Sequence, residues 1–166
     1  MKYIFASDIH GSAFWCEKLV EAFKKEKADR LVLLGDELYH GPRNPLPDGY
    51  DPKAVCEMLN ALSDKIIAVR GNCDSEVDQM VLDFPMMTDY ALLELDGKSI
   101  YLTHGHLPVS GKSDIVISGH THITKCEEED GVLYLNPGSV SMPKDKSGCG
   151  YILYEKGIFV RKELKA

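Results

Sequence analysis

Three uninterrupted apolar runs, each closing in polar residues and separated by stretches of helical periodicity, constrain the fold of this 166-residue chain more than any other feature. They are KYIFAS at 2–7, RLVLLGD at 30–36 and KIIAVRGNCD at 65–74. A strand exposed on one face alternates apolar and polar residues, whereas a strand covered on both faces does not, so these runs predict buried parallel strands. Between the first two lies GSAFWCEKLVEAFKKEKA, where Trp15, Leu19, Val20 and Phe23 recur at helical spacing; Phe14, Trp15 and Phe23 are expected in the core under that helix. Between the second and third, DPKAVCEMLNALS predicts another helix, with a proline in its first turn. Strand, helix, strand, helix, strand is the pattern of an α/β fold with helices over a parallel sheet.

The second half changes character. ALLELDGKSIYLTHG predicts two strands about an Asp-Gly turn, DIVISGHTH another buried strand, KCEEEDGVLYLNPGS a hairpin and YILYEKGIFVRKE a last hairpin about Lys-Gly. The acidic CEEED segment at 126–130 precedes a turn and is expected as a solvated edge strand rather than a metal patch. No linker or repeat divides the chain, so residues 1–166 are expected to form one domain with two sheets.

A formal net charge of -7 gives no basic footprint for a nucleic-acid backbone. Five scattered cysteines, without a C-x-x-C pair, argue against a disulfide framework and fit a reducing cytoplasm. No apolar run has the length of a secretory core or a membrane span.

The chemistry gathers where the strands end. Asp8 and His10 close the first run, Asp36 the second, Asn72 and Asp74 the third; His104 and His106 follow a later strand, and His120 and His122 follow DIVISG. Asp8 and His10 are two apart, so an extended chain would project both to one side. Any one of these groups alone reads as turn chemistry. Together they read as one crevice beyond the carboxyl ends of the strands, with carboxylate, amide and imidazole donors suited to two divalent cations.

The series DIH, GD at 35–36, GNCD at 71–74, THGH at 103–106 and GHTH at 119–122 resembles the five-block signature of calcineurin-like metallophosphoesterases. FASDIHG, HGPRNPLPDGY, AVRGNCDSEVDQM and NPGSVSMPK are similar to the YfcE-type branch of small bacterial and archaeal phosphodiesterases. The resemblance implies a sandwich of two mixed sheets flanked by helices. It implies that one cation takes Asp8, His10 and His122, that the other takes Asn72, His104 and His120, and that Asp36 bridges them. It further implies hydrolysis of small phosphodiesters by a metal-bridging hydroxide, with manganese as the expected ion and iron, zinc or nickel as alternatives. A homo-oligomer is compatible with this reading, and a membrane partner is not expected.

Two positions add to the ligand set. Many members of the superfamily carry histidine in the third block to protonate the leaving group; here the residue is Cys73, a poor acid, which favours substrates with good leaving groups. His106 is the candidate to compensate. In the loop HGPRNPLPDGYDP, irregular with proline and glycine, Arg43 is a candidate phosphate contact and the loop a candidate wall of the crevice. The segment between His106 and the next strand is several residues short of its usual length in the family, which reflects either a clipped loop and a more open crevice or loop residues absent from this sequence. The alternatives in function are a protein-binding scaffold on the same fold, opposed by the complete ligand set, and a nuclease, opposed by the acidic balance.

Overall fold

The computed structural model describes residues 1–166. In chain order the elements are β1 (Lys2–Ala6), α1 (Ala13–Glu26), β2 (Arg30–Leu33), α2 (Pro52–Asn60), a 3₁₀ turn (Ser63–Lys65), β3 (Ile66–Ala68) and α3 (Glu76–Gln79). They continue as β4 (Tyr90–Leu95), β5 (Lys98–Thr103), β6 (Ile115–Ile117), β7 (Lys125–Glu129), β8 (Val132–Asn136), β9 (Gly150–Glu155) and β10 (Ile158–Glu163).

Two five-stranded mixed sheets result, one ordered β10-β9-β1-β2-β3 and the other β4-β5-β6-β8-β7. In the first, β1 pairs parallel with β2 and β2 with β3, while β9 and β10 add an antiparallel edge. In the second, β5, β6 and β8 run parallel and the hairpin partners β4 and β7 flank them. This is the expected two-sheet sandwich, and the reason lies in how the residues of β1 are shared out. Tyr3 and Phe5 pack with Val32, Ile100, Leu102, Ile117 and Leu135 between the sheets. Ile4 and Ala6 pack with Leu19, Phe23, Val55 and Leu59 beneath the helices. Both faces of the strand are dry, so its sequence has no polar alternation.

Local signals set the helix ends. Ser12 caps α1 by accepting from the Trp15 amide at 3.2 Å, and Lys27 closes the helix in the left-handed conformation at φ 52°. Cys16, Leu19, Val20 and Phe23 form its buried stripe. Phe14 corrects the expectation: it stands on the opposite face and is 36% exposed, while Trp15 is only half-buried. Asp51 caps α2 through the Ala54 amide at 3.1 Å, with Pro52 opening the helix. The acidic segment lies on β7, an exposed edge strand where Lys125 pairs with Glu127 and Glu129 at 3.3 and 2.9 Å. No helix is long and apolar enough to cross a membrane.

Candidate metal centre

The loops that leave β1, β2, β3, β5 and β6 meet at one end of the sandwich, and their backbone is not extended. Asp8 and His10 have φ of 60° and 51°, so the chain turns after β1 instead of presenting both side chains from a strand as the two-residue spacing suggested. Asp36, His120 and His122 also sit in the left-handed region, at φ 60°, 67° and 58°. Non-glycine residues adopt this conformation at a cost, and five of the nine that do so in this chain gather at one crevice. The cost is met by a hydrogen-bonded scaffold. The Asp8, His10 and Gly11 amides donate to the carbonyls of Gly35, Asp36 and Glu37, zipping the β1 loop to the β2 loop. Ser139 and Ser141 hydroxyls donate to the Asp8 carbonyl at 2.8 and 3.2 Å.

Three imidazoles are aimed the same way. Nδ1 of His10, His104 and His122 lies 2.8, 2.7 and 2.7 Å from the carbonyls of Tyr39, Leu34 and Met142. A carbonyl accepts only, so each Nδ1 carries the proton and each Nε2 turns a lone pair to the crevice. There His10 Nε2 stands 3.2 Å from His122 Nε2 and 3.5 Å from Asp8 Oδ1, and His122 Nε2 is 3.3 Å from that same oxygen. Asp36 Oδ2 lies 3.7 Å from His10 Nε2 and 3.4 Å from His104 Nε2, which in turn is 3.0 Å from Asn72 Oδ1. The donors therefore fall into two neighbouring groups joined at Asp36. Asp8 Oδ1 is fully buried and has no hydrogen-bond donor among its neighbours. Imidazole nitrogens facing carboxylate oxygens, where either a proton or a metal ion can sit, form a set that fits divalent cations.

His120 belongs to the same place. Its amide donates to Asp8 Oδ2 at 3.0 Å, its ring centroid is 5.1 Å from that of His104, and it lines the crevice. His106 lies beside these rings, 5.3 Å from His104 and 6.2 Å from His120 between centroids, but is not among the residues lining the crevice. Arg43 is, together with Pro42 and Asn44, so the loop after Asp36 forms a wall as its composition suggested. The crevice holds about 400 Å³ and is bounded also by His10, Asp36, Asn72, Cys73, His122 and Lys144.

The electrostatics point the same way. Burial pushes the Asp8 carboxyl up, yet the imidazoles of His10 and His122 beside it, with the charge of His104, outweigh burial and hold it below the carboxylate range. Burial pulls His104 down, but Asp36, followed by the charge of Asp8, raises it to about 9. The pocket thus favours positive charge where His104 meets Asp36. Cys73 is moved the other way, up to about 12, by burial and then by the charge of Asp36.

Several supporting residues were not read as such from the sequence. Asp74, which shares a loop with Asn72, is no part of the donor set; its carboxylate accepts from the amides of Asp36, Gly71 and Glu37 at 2.8, 2.7 and 3.0 Å and so clamps the β2 loop to the β3 loop. Glu37 is fully buried, and burial with the charges of Asp74, Asp36 and Asp8 raises its carboxyl well above normal. Two glycines are required by close approach. A Cβ on Gly71 would stand 2.0 Å from Asp36 Oδ1, and one on Gly119 would stand 1.8 Å from Ser7 Oγ. Lys144, in the segment SMPK, carried no local signal beyond its charge.

Comparison with known proteins agrees with this geometry. Residues 1–156 match the calcineurin-like phosphoesterase superfamily domain. The chain is 46% identical over 164 residues to phosphodiesterase YfcE of Escherichia coli strain K12, covering 95% of this chain and 89% of that protein. It is 28% identical over 165 residues to phosphodiesterase MJ0936 of Methanocaldococcus jannaschii, covering 92% and 87%. A solved structure of YfcE, a phosphoesterase from E. coli, superposes with a TM-score of 0.90 at 41% identity, over 99% of this chain and 100% of that one. A donor set of two buried carboxylates, an amide and inward-facing imidazoles, carried on this two-sheet sandwich, places the chain in the calcineurin-like phosphoesterase superfamily.

Proposed function

We propose that this chain is a phosphodiesterase that hydrolyses small phosphodiesters with two divalent cations, manganese foremost, and that residues 1–166 act as one domain. The observation that carries this reading is the convergence of three Nδ1-anchored imidazoles, Nε2 inward, on the buried carboxylates of Asp8 and Asp36. In this reading Asp8, His10 and His122 hold one cation, Asn72, His104 and His120 hold the other, and Asp36 lies between them. When bound, two such cations supply Lewis acidity, polarising phosphoryl oxygens and lowering the pKa of water.

The chain's own residues do the rest. The carbonyls of Tyr39, Leu34 and Met142 keep the three donor nitrogens pointed inward, so little reorganisation accompanies substrate binding. Arg43 places a guanidinium on the crevice wall, where paired N–H donors suit two oxygens of one phosphate. Cys73 lines the crevice at the position to which the family resemblance assigns a general acid, and its raised pKa makes it a poor one, so the reading assigns good leaving groups, such as aryl alcohols, to the substrate. His106, its pKa lowered by burial and then by His104, lies beside the rings of His104 and His120 and is the residue assigned to compensate for the missing acid. The acidic chain favours small esters over a nucleic-acid polymer, and the reading places it in the cytoplasm.

Hydrolysis of bis(p-nitrophenyl) phosphate after chelation and re-addition of manganese tests the reading. Turnover that returns only with the metal supports it. Full activity in the chelated protein, or none with manganese, iron, zinc or nickel, would refute it.

A further inference from the structure

The crevice holds two cationic side chains, and only Arg43 has been given work. Lys144 lines the same space from a different loop, the one joining β8 to β9. That loop is built rather than loose. The Lys144 amide donates to the His122 carbonyl at 2.9 Å. Next to it, Asp145 accepts from the Thr124 amide and hydroxyl at 2.7 and 2.9 Å and from the Ser147 amide at 2.9 Å. Arg161 donates to the carbonyls of Ser147 and Gly148 at 2.7 and 2.6 Å. Arg43 is placed with similar care, since Asn44 Nδ2 donates to the His40 carbonyl at 2.9 Å and closes the turn that carries it.

Neither head group is engaged. Five of the chain's 19 lysines and arginines form ion pairs, and Arg43 and Lys144 are among those that form none; what sets these two apart is that they line the crevice. Two exposed cationic side chains on the walls of one crevice suit an anionic partner from outside. On the proposed function, two divalent cations set against Asp8 and Asp36 already exceed the single charge of a phosphodiester. Arg43 and Lys144 add to that surplus, and from two sides: the Arg43 turn approaches Cys73, and Lys144 is tied to His122.

We infer that Lys144 is a specificity-determining residue that recognises a second anionic group on the substrate, so that the preferred class is a phosphodiester bearing an additional phosphate. The inference rests on the proposed function. Arg43 and Lys144 divide the two anionic groups between them, which a simple aryl diester does not exploit.

Competitive inhibition tests this with the manganese-loaded full chain, using bis(p-nitrophenyl) phosphate as reporter and holding free manganese constant. The probes are adenosine 3′,5′-bisphosphate and adenosine 5′-monophosphate, which differ by one phosphate. The bisphosphate is expected to inhibit about tenfold more tightly, the size of one charge-assisted hydrogen bond. Lys144→Gln should bring the two inhibition constants together and Lys144→Arg should keep them apart, a rescue that lost packing could not give. Equal inhibition by the two probes in the unaltered chain, or a gap that survives Lys144→Gln, overturns the inference while reporter hydrolysis continues. Loss of reporter hydrolysis with every metal instead overturns the proposed function, and the inference with it.

Discussion

Replacing Asp36 with asparagine keeps the size of the side chain and removes one charge. Asp36 Oδ1 accepts the Cys73 amide at 2.8 Å, a bond the asparagine oxygen can reproduce, so the β2 and β3 loops should stay joined. What is lost lies on the other oxygen, 3.4 Å from His104 Nε2 and 3.7 Å from His10 Nε2, where the two groups of donors meet. A unit charge about 4 Å away is worth about 4 kcal/mol at an effective dielectric of about 20. Losing even two-thirds of that in binding or turnover is a factor of about 10². Asp36→Asn should therefore fold normally by circular dichroism, hold less than the full complement of manganese by elemental analysis, and hydrolyse an aryl diester about 10²-fold or more slowly. Near-normal turnover with two manganese ions per chain would refute the bridging role of Asp36 and the two-ion reading together.

Three further expectations follow from other parts of the chain. Cys73→Ser should leave aryl diester hydrolysis within about tenfold, because a good leaving group scarcely needs protonation, while Cys73→His should extend turnover to alkyl diesters; a much larger loss in the serine variant would make the thiol a participant. Gly119→Ala drives a Cβ to 1.8 Å from Ser7 Oγ and 2.9 Å from Asp8 Oδ2, and should lower stability by about 1–3 kcal/mol in denaturant titration and weaken metal retention; a neutral effect would show that the β6 loop can give way. Lys162 beside Glu26 at 2.6 Å holds that carboxyl below its usual range, so its contribution to stability is present above pH 4.5 and is lost as pH falls through the lowered native value; Glu26→Gln should flatten melting temperature against pH in that acid window, and an unchanged profile would count against the pair.

The sequence by itself determined the layers and supplied the candidate donors. Apolar runs such as KYIFAS and RLVLLGD have no polar face to give to water, so they had to be covered on both sides, and the residues that ended them had to lie beyond the sheet edge. Periodicity in CEKLVEAF likewise fixed which stripe of α1 goes inward, though it misjudged Phe14, because one aromatic residue at a helix start has no period of its own. Only the tertiary structure decided how the donors meet. Asp8 and His10 converge through left-handed turns, not along a strand, and those turns exist because the β2 loop offers the carbonyls of Gly35, Asp36 and Glu37 to their amides. The roles of Asp74 as a clamp, of Ser139 and Ser141 as supports for the Asp8 carbonyl, and of Lys144 as an unpaired cation at the crevice depend on partners far off in the chain. A hydrogen bond between distant segments, as from Ser139 and Ser141 to Asp8, leaves no mark on the local pattern of either, since each satisfies its own segment's propensities whether or not the other arrives.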